Sequence, residues 1–336
     1  MALLVLASHT GCAATAEVPP EQPSTERTEP APTTPSTRQD YEFSADDYVD
    51  EALSFIEANG LFINEIDWTA TRTSVTAQTA DARTPEETHQ ALEEALLQAG
   101  GRHSGLQPAG TGGAFAYAPT PKAKKLPGGV VVLTVPAFRS PRSEHIDAYA
   151  AGAEEIAAHA GDASCGWIVD LQRNYGGNMW PMLAALTPLL PDGDLMQLID
   201  RDGNPSRVSA EGNEVFFDGK MLSQTTEVDY EDEHRPVAIV QGSATASSAE
   251  AVILSFSSRE DVRSFGAPSA GLVTGNIVHT LPDGTVLRMT RTHMATGDGQ
   301  MPLGPIPPDE ISPEDPIQAA SDWLLDECNA APSPGN

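Results

Sequence analysis

Apolar positions recur at helical spacing in SADDYVDEALSFIEANG, residues 44–60, where Tyr48, Ala52, Phe55 and Ile56 share one face. Ser44 stands at the N-cap and Gly60 at the stop. A second helix is predicted over TPEETHQALEEALLQAGG, residues 84–101, with Thr84 as N-cap, Pro85 at the first helical position and Glu87 as capping-box partner. From Gly129 the pattern changes. VVVLTV (130–135), CGWIVDL (165–171) and RPVAIVQG (235–242) are short continuous apolar runs and read as buried strands. Each precedes a helical pattern, in SEHIDAYAAGAEEIAAHAG (143–161), NMWPMLAALTPLL (178–190) and SAEAVILSFSS (248–258). That alternation predicts a parallel sheet with right-handed crossovers, hence an α/β fold. VRSFG (262–266), NIVHTL (276–281) and TVLRMTRT (285–292) read as further strands, LPDG (281–284) as a hairpin turn, and DPIQAASDWLLDEC (315–328) as a last helix. Residues 194–235 break the alternation and read as an insertion carrying a hairpin.

The chain has 336 residues and a formal net charge of −29. Such acidity repels phosphate backbones, so nucleic acid is not an expected partner. The three cysteines form no CxxC or Cys/His cluster, so no metal site is expected, and no motif in the chain implies a cofactor. Residues 1–12, MALLVLASHTGC, resemble a lipoprotein signal in which Cys12 becomes a lipidated N-terminus; an ordinary signal peptide is the alternative. Residues 13–40 are rich in Pro, Thr, Ser and Glu and read as a disordered tether. Residues 41–106 then form a small helical subdomain, 107–328 the core, and 329–336 a flexible tail. No later run is apolar enough to span a bilayer, so the expected protein is exported and meets the membrane only through its lipid. Cys165 and Cys328 either pair, pinning the last helix to the sheet, or remain as buried thiols.

The chemistry is concentrated in GSATASSAEAV, residues 242–252, at the end of one strand and the start of a helix. Hydroxyls there are either N-caps or a nucleophile beside a helix N-terminus. Two other stretches decide between these readings. DLQRNYGGN, residues 170–178, ends a strand in paired glycines, which leave a bare backbone that a substrate can approach. LPDGTVLRMTRTHMATGDG, residues 281–299, is followed by GPIPPD, residues 304–309.

In order and spacing these pieces, with IDW (66–68), HSGL (103–106) and GAPSAGLVTG (266–275), resemble the tail-specific, or C-terminal processing, serine proteases, a family that includes the tricorn core and the interphotoreceptor retinoid-binding protein. The resemblance implies a crotonase-like (ClpP/crotonase) spiral βα core and a serine-type peptidase acting on extended peptides. It makes Ser247 the nucleophile, and the N–H groups of Ser248 and of Gly176 or Gly177 the oxyanion donors. The Ser/Lys branch carries a lysine where this chain has Leu272, and no lysine follows Lys220. The tricorn-like branch uses a histidine whose position matches His103, in GGRHSGL, the implied general base. That branch has a Glu before its closing motif that is missing here, so Ser104 and Asp298 are the candidate orienters of the His103 ring. Residues 104–128 are too few for the PDZ domain of processing proteases. Two other readings stand beside the peptidase: a catalytically degenerate relative that binds peptide or another ligand at the cell surface, and an acyl-CoA enzyme of crotonase type. Asp170 and Arg173 are expected to hold the strand end, Glu250 the first helical turn, His279 and His293 to be packed or solvent-facing rather than catalytic, and the YEDEH run (230–234) to be a solvated loop and not a metal site.

Overall fold

The computed structural model describes residues 42–111, 118–230 and 235–330. Cys12, the signal, the tether, residues 231–234 of the acidic run and the tail from 331 lie outside them.

Ser44 caps α1 (Ala45–Asn59) by accepting the Asp47 N–H at 3.4 Å, and the Gly60 N–H closes the helix on Ile56 O. A helix not legible in the sequence follows, α2 (Trp68–Thr79), capped by the Asp67 carboxylate. It buries only Val75 and Thr79, which is too little of a stripe to read. The expected 84–101 helix divides into a 3-10 turn, Pro85–Thr88, and α3 (His89–Gly100). Glu87 accepts the Arg83 N–H, so the expected capping box with Thr84 is not formed.

The chain continues through β1 (Gly105–Gln107), β2 (Lys122–Leu126), β3 (Val130–Thr134), α4 (Ser143–Ala150), α5 (Ala153–His159), β4 (Gly166–Asp170) and α6 (Met179–Leu186). One helix was expected across 143–161. It breaks at Gly152, where an added Cβ would stand 2.7 Å from the Pro121 ring. Then come β5 (Gly193–Asp200), β6 (Pro205–Glu211), β7 (Glu214–Phe217) and β8 (Lys220–Gln224), an antiparallel meander where a single hairpin was expected. β9 (Val237–Gln241), α7 (Ser248–Ser255), β10 (Val262–Gly266), β11 (Thr274–Thr280), β12 (Val286–Thr296), β13 (Glu310–Ile311) and α8 (Pro316–Ala330) complete the mixed α/β fold.

One sheet has the order β13-β10-β9-β4-β3-β2, parallel except for the antiparallel edge strand β2. The other runs β1-β12-β5-β6-β7-β8, with β11 also paired to β12. Successive residues of β3 face opposite ways. Val131 and Leu133 join the main core with α6, α7 and the meander, while Val130 and Val132 pack beneath Ala320 and Leu324 of α8. Burial on both faces is why these strands read as unbroken apolar runs. Helices α1 and α3 do not pack as a separate subdomain: their apolar faces share a core with Leu281, Leu287 and Met289 of the β11–β12 hairpin.

Cys165 and Cys328 are joined, with Cα atoms 5.1 Å apart, which fastens α8 to the start of β4. At the opposite, carboxyl ends of the parallel strands, β4 runs into the 174–177 turn and β9 into Ser247. Open α/β sheets commonly place their ligands at this end.

Candidate active site

Ser247 has φ 56° and ψ −116°, a left-handed conformation that a residue with a Cβ rarely adopts. Asp218, at a hairpin turn, is the other such non-glycine among the described residues. Holding a serine there costs about 1–3 kcal/mol and requires neighbours that over-determine it. Several do. The Ser247 N–H donates to Glu250 Oε2 at 2.7 Å, the Ala246 N–H to Asn174 O at 3.0 Å, and the Ala251 N–H to Ser247 O at 3.0 Å. The result is a sharp strand-to-helix turn with a half-buried hydroxyl-bearing residue at its apex, the geometry of a nucleophile elbow.

Glu250 is fully buried and accepts four hydrogen bonds. Its Oε2 takes the Ser247 and Leu272 N–H groups; its Oε1 takes the Ser269 hydroxyl at 2.6 Å and the Gly271 N–H at 2.7 Å. Burial raises its pKa, and the four donors oppose that shift. It therefore does more than steady a first helical turn, because it also locks the 269–272 loop against the Ser247 elbow.

The glycine pair lies against the same elbow. Gly176 has φ 90°, and a Cβ there would sit 2.8 Å from Ser247 Cβ and 3.1 Å from Ser248 N. Its N–H donates to Asn174 Oδ1 at 2.9 Å, so of the two glycines Gly176 has its donor committed. Gly177 is exposed, and its N–H has no acceptor among the described residues. The Ser248 hydroxyl donates to Gly177 O at 2.5 Å and ties α7 to this turn. Asn174, not singled out from the sequence, also donates to Val135 O at 3.1 Å and so joins β3, the glycine turn and the elbow. Asp170 accepts the Gln172 N–H at the strand end, its pKa raised by burial.

His103 ends the 3-10 turn Gly101–His103 that follows α3, with Nδ1 2.8 Å from Thr274 Oγ1 on β11. Arg102 donates to Ala270 O at 2.8 Å and Gly271 O at 2.7 Å, and Arg288 donates to His103 O at 3.0 Å. Burial, then Arg288, then Arg102 push the His103 pKa down to about 4. The ring lines a cavity of about 300 Å³ with Phe62, Leu272, Thr274 and His293. No hydrogen bond joins His103 to Ser247 among the described residues, but both are fixed to the 269–274 loop. A larger cavity, about 470 Å³, runs along α7 and contains neither residue.

The expected orienters are elsewhere. Ser104 is buried, donates to Thr290 Oγ1 at 3.1 Å and accepts the Thr290 N–H at 3.1 Å, so it is spent on β12. Asp298 is exposed and held by Thr296 and Gln300. The group that does contact the His103 ring is the Thr274 hydroxyl, and no spacing rule connects it to a histidine 171 residues away. His279 pairs with Glu51 at 2.7 Å and stacks on Phe55. Asp309, in the closing motif, accepts from the Ser264 N–H and hydroxyl and anchors the segment before β13.

The chain is 29% identical over 281 residues to the nisin-resistance protein of Lactococcus lactis subsp. lactis, covering 82% of this chain and 86% of that one. A lipoprotein from Streptococcus agalactiae superposes with a TM-score of 0.73 at 26% identity, over 85% of this chain and 98% of that one. The photosystem II D1 C-terminal processing protease shares the fold, with a TM-score of 0.56 at 13% identity, over 84% and 98% of the two chains. The profile of peptidase family S41 matches residues 129–312, more than half of the chain, and the protein belongs to that family.

Proposed function

We propose that the protein is a serine peptidase in which Ser247 attacks the peptide carbonyl and His103 is the general base. The conformation of Ser247 carries this reading: Ser247 and Glu250 occupy capping-box positions, but a cap requires neither the strained φ of Ser247 nor the bonds that Glu250 accepts from the 269–272 loop. In the tautomer whose Nδ1 proton faces Thr274 Oγ1, Nε2 of His103 is the nitrogen that takes the serine proton and returns it to the leaving amine. The Gly177 and Ser248 N–H groups would hold the oxyanion, with Gly176 shaping the turn. Water then releases the acyl group. The histidine base, with Leu272 in the lysine position, supports placing the chain nearer the tricorn-like branch, and the short 104–128 segment supports a family member without a PDZ domain. The parallel β3-β4-β9-β10 core supports the crotonase-like reading. The relative's name makes nisin one of the peptides to offer as substrate. The Cys165–Cys328 disulfide and the names of the relatives support export, and Cys12 is the proposed lipid attachment site.

A ligand-binding role without turnover is the second reading, favoured by one observation: a threonine, not a carboxylate, faces the His103 ring. Labelling with a fluorophosphonate probe, read by mass spectrometry, separates the two. Modification of Ser247 that is lost in His103→Ala supports the peptidase. Labelling that survives His103→Ala removes His103 as base, and no labelling at any pH supports the binding role.

A further inference from the structure

Ser247 and His103 stand on different elements, the α7 elbow and the 3-10 turn Gly101–His103, and a proton passes between them only if the two are held in register. The segment that meets both is 270–272. The Gly271 and Leu272 N–H groups donate to Glu250 Oε1 and Oε2, at 2.7 and 2.9 Å. The Ala270 and Gly271 carbonyls accept from a single Arg102 nitrogen, Nη2, at 2.8 and 2.7 Å. These four groups make up two consecutive peptide units: the Ala270 carbonyl with the Gly271 N–H, and the Gly271 carbonyl with the Leu272 N–H. In a trans peptide the N–H and the C=O point opposite ways. Each unit is therefore gripped at both ends, its positive end by a buried carboxylate and its negative end by a guanidinium, and its dipole is aligned between the two charges. Gly271 permits this course: its φ is 72°, and an added Cβ would stand 2.6 Å from Pro305 N.

Both ends of this clamp continue into the chemistry. At the carboxylate end, Glu250 Oε2 also takes the Ser247 N–H at 2.7 Å. At the guanidinium end, Arg102 immediately precedes His103 in its turn. Ser104 and the His103 carbonyl lead elsewhere, to Thr290 and Arg288 of β12. Among the described residues, two side-chain contacts join the turn to the loop that is fixed on the elbow: the His103 ring on Thr274 Oγ1, and the Arg102 clip. The first bears on the ring alone, whereas the second fixes the backbone that supports it. Arg102 is exposed, so water screens its charge and the fold gains little from it.

We propose that Arg102 is a positioning residue for the proton transfer: with Glu250 it clamps the 270–272 peptides and so holds His103 in register with Ser247. The inference rests on Ser247 and His103 being nucleophile and base.

The test is the saturation kinetics of fluorophosphonate labelling at Ser247, which separate the limiting rate from the half-saturating concentration, read beside the Tm. A misplacement of about 1 Å costs on the order of 100-fold, so Arg102→Met should lower the limiting rate by roughly 10- to 100-fold and leave half-saturation unchanged. Its Tm should fall by no more than about 3 °C. One nitrogen serves both carbonyls, so a lysine ammonium with its three donors can replace it, and Arg102→Lys should recover the rate to within about threefold of wild type. Arg207→Met, which breaks an exposed ion pair to Asp194 on the meander, should label as wild type does. Arg102→Met labelling at the wild-type limiting rate, a loss confined to half-saturation, or an equal loss in the methionine and lysine variants would each overturn the inference while the peptidase reading stands. A wild-type chain that does not label at all would overturn the peptidase reading, and the inference with it.

Discussion

At the residue scale the strain at Ser247 has a measurable consequence. Glycine adopts φ 56° without a steric penalty and costs only a few tenths of a kcal/mol as an N-cap. Ser247→Gly should therefore abolish hydrolysis while stabilising the fold by about 1 kcal/mol, a rise in Tm of roughly 2–4 °C by calorimetry. Ser247→Ala keeps the Cβ and should gain nothing. A glycine variant that melts below the alanine variant would show that the turn is not strained. His103 gives a second expectation. An ordinary histidine titrates near 6.5, and this one is held to about 4 by burial and by Arg288 and Arg102. The neutral ring needed for proton transfer thus persists well into the acid range, and the acid limb of kcat/KM should lie near pH 4. Between pH 4 and 6.5 the unfolded chain binds the proton and the folded chain does not. The contribution of this group to stability therefore rises with pH across that window and falls as the solution is acidified. An acid limb near 6.5 that persists in a histidine-to-glutamine series outside the site would contradict the buried, cation-flanked ring.

At the element scale, the sequence was legible where one face of an element carries its signal. The Ser44 cap, the apolar runs of β3, β4 and β9 and the LPDG hairpin turn all follow from local rules. The failures have local causes too. WTATRTSVTAQT is rich in Thr, buries two residues and offers no stripe, so α2 is invisible to periodicity. The break between α4 and α5 is imposed by Pro121, which lies some thirty residues earlier in the chain and against which Gly152 must fit. The 194–235 segment looked like an insertion because its strands are half-exposed. Its partner, β12, lies about a hundred residues downstream, and pairing with β12 turns the meander into part of the second sheet. The site divides the same way. Ser247, the glycine pair and the helix start are contiguous motifs and could be read. The Thr274 contact to His103, the Glu250 bonds to Gly271 and Leu272, and the Arg102 bonds to Ala270 and Gly271 arise only when β11, α7 and the turn after α3 are folded together.

At the scale of the whole molecule, the parallel sheet separates its staple from its chemistry. The disulfide clamps α8 at the amino end of β4, while Asn174, Gly177 and Ser247 follow the carboxyl ends of β4 and β9. A five-residue strand at about 3.3 Å per residue puts roughly 16 Å between the two ends. Closing a loop across a separation of 163 residues removes much of the freedom of the unfolded chain, about 5 kcal/mol on the loop-entropy account, with about 2–4 kcal/mol typical in practice. Helix α8 would still have its apolar contacts without the bond, since Ala320 and Leu324 remain buried on β3, β4 and β9 and Trp323 lies beside Phe265. The paired variant Cys165→Ser/Cys328→Ser should therefore fold, melt several degrees lower, and keep the wild-type rate of probe labelling at Ser247 at 25 °C. Reductant should lower the Tm of the wild-type chain to that of the variant and leave the variant unchanged. If the variant instead lost labelling at a temperature where circular dichroism shows it folded, the two ends of the sheet would be coupled. The disulfide would then belong to the working of the site, and not only to the stability of the sheet.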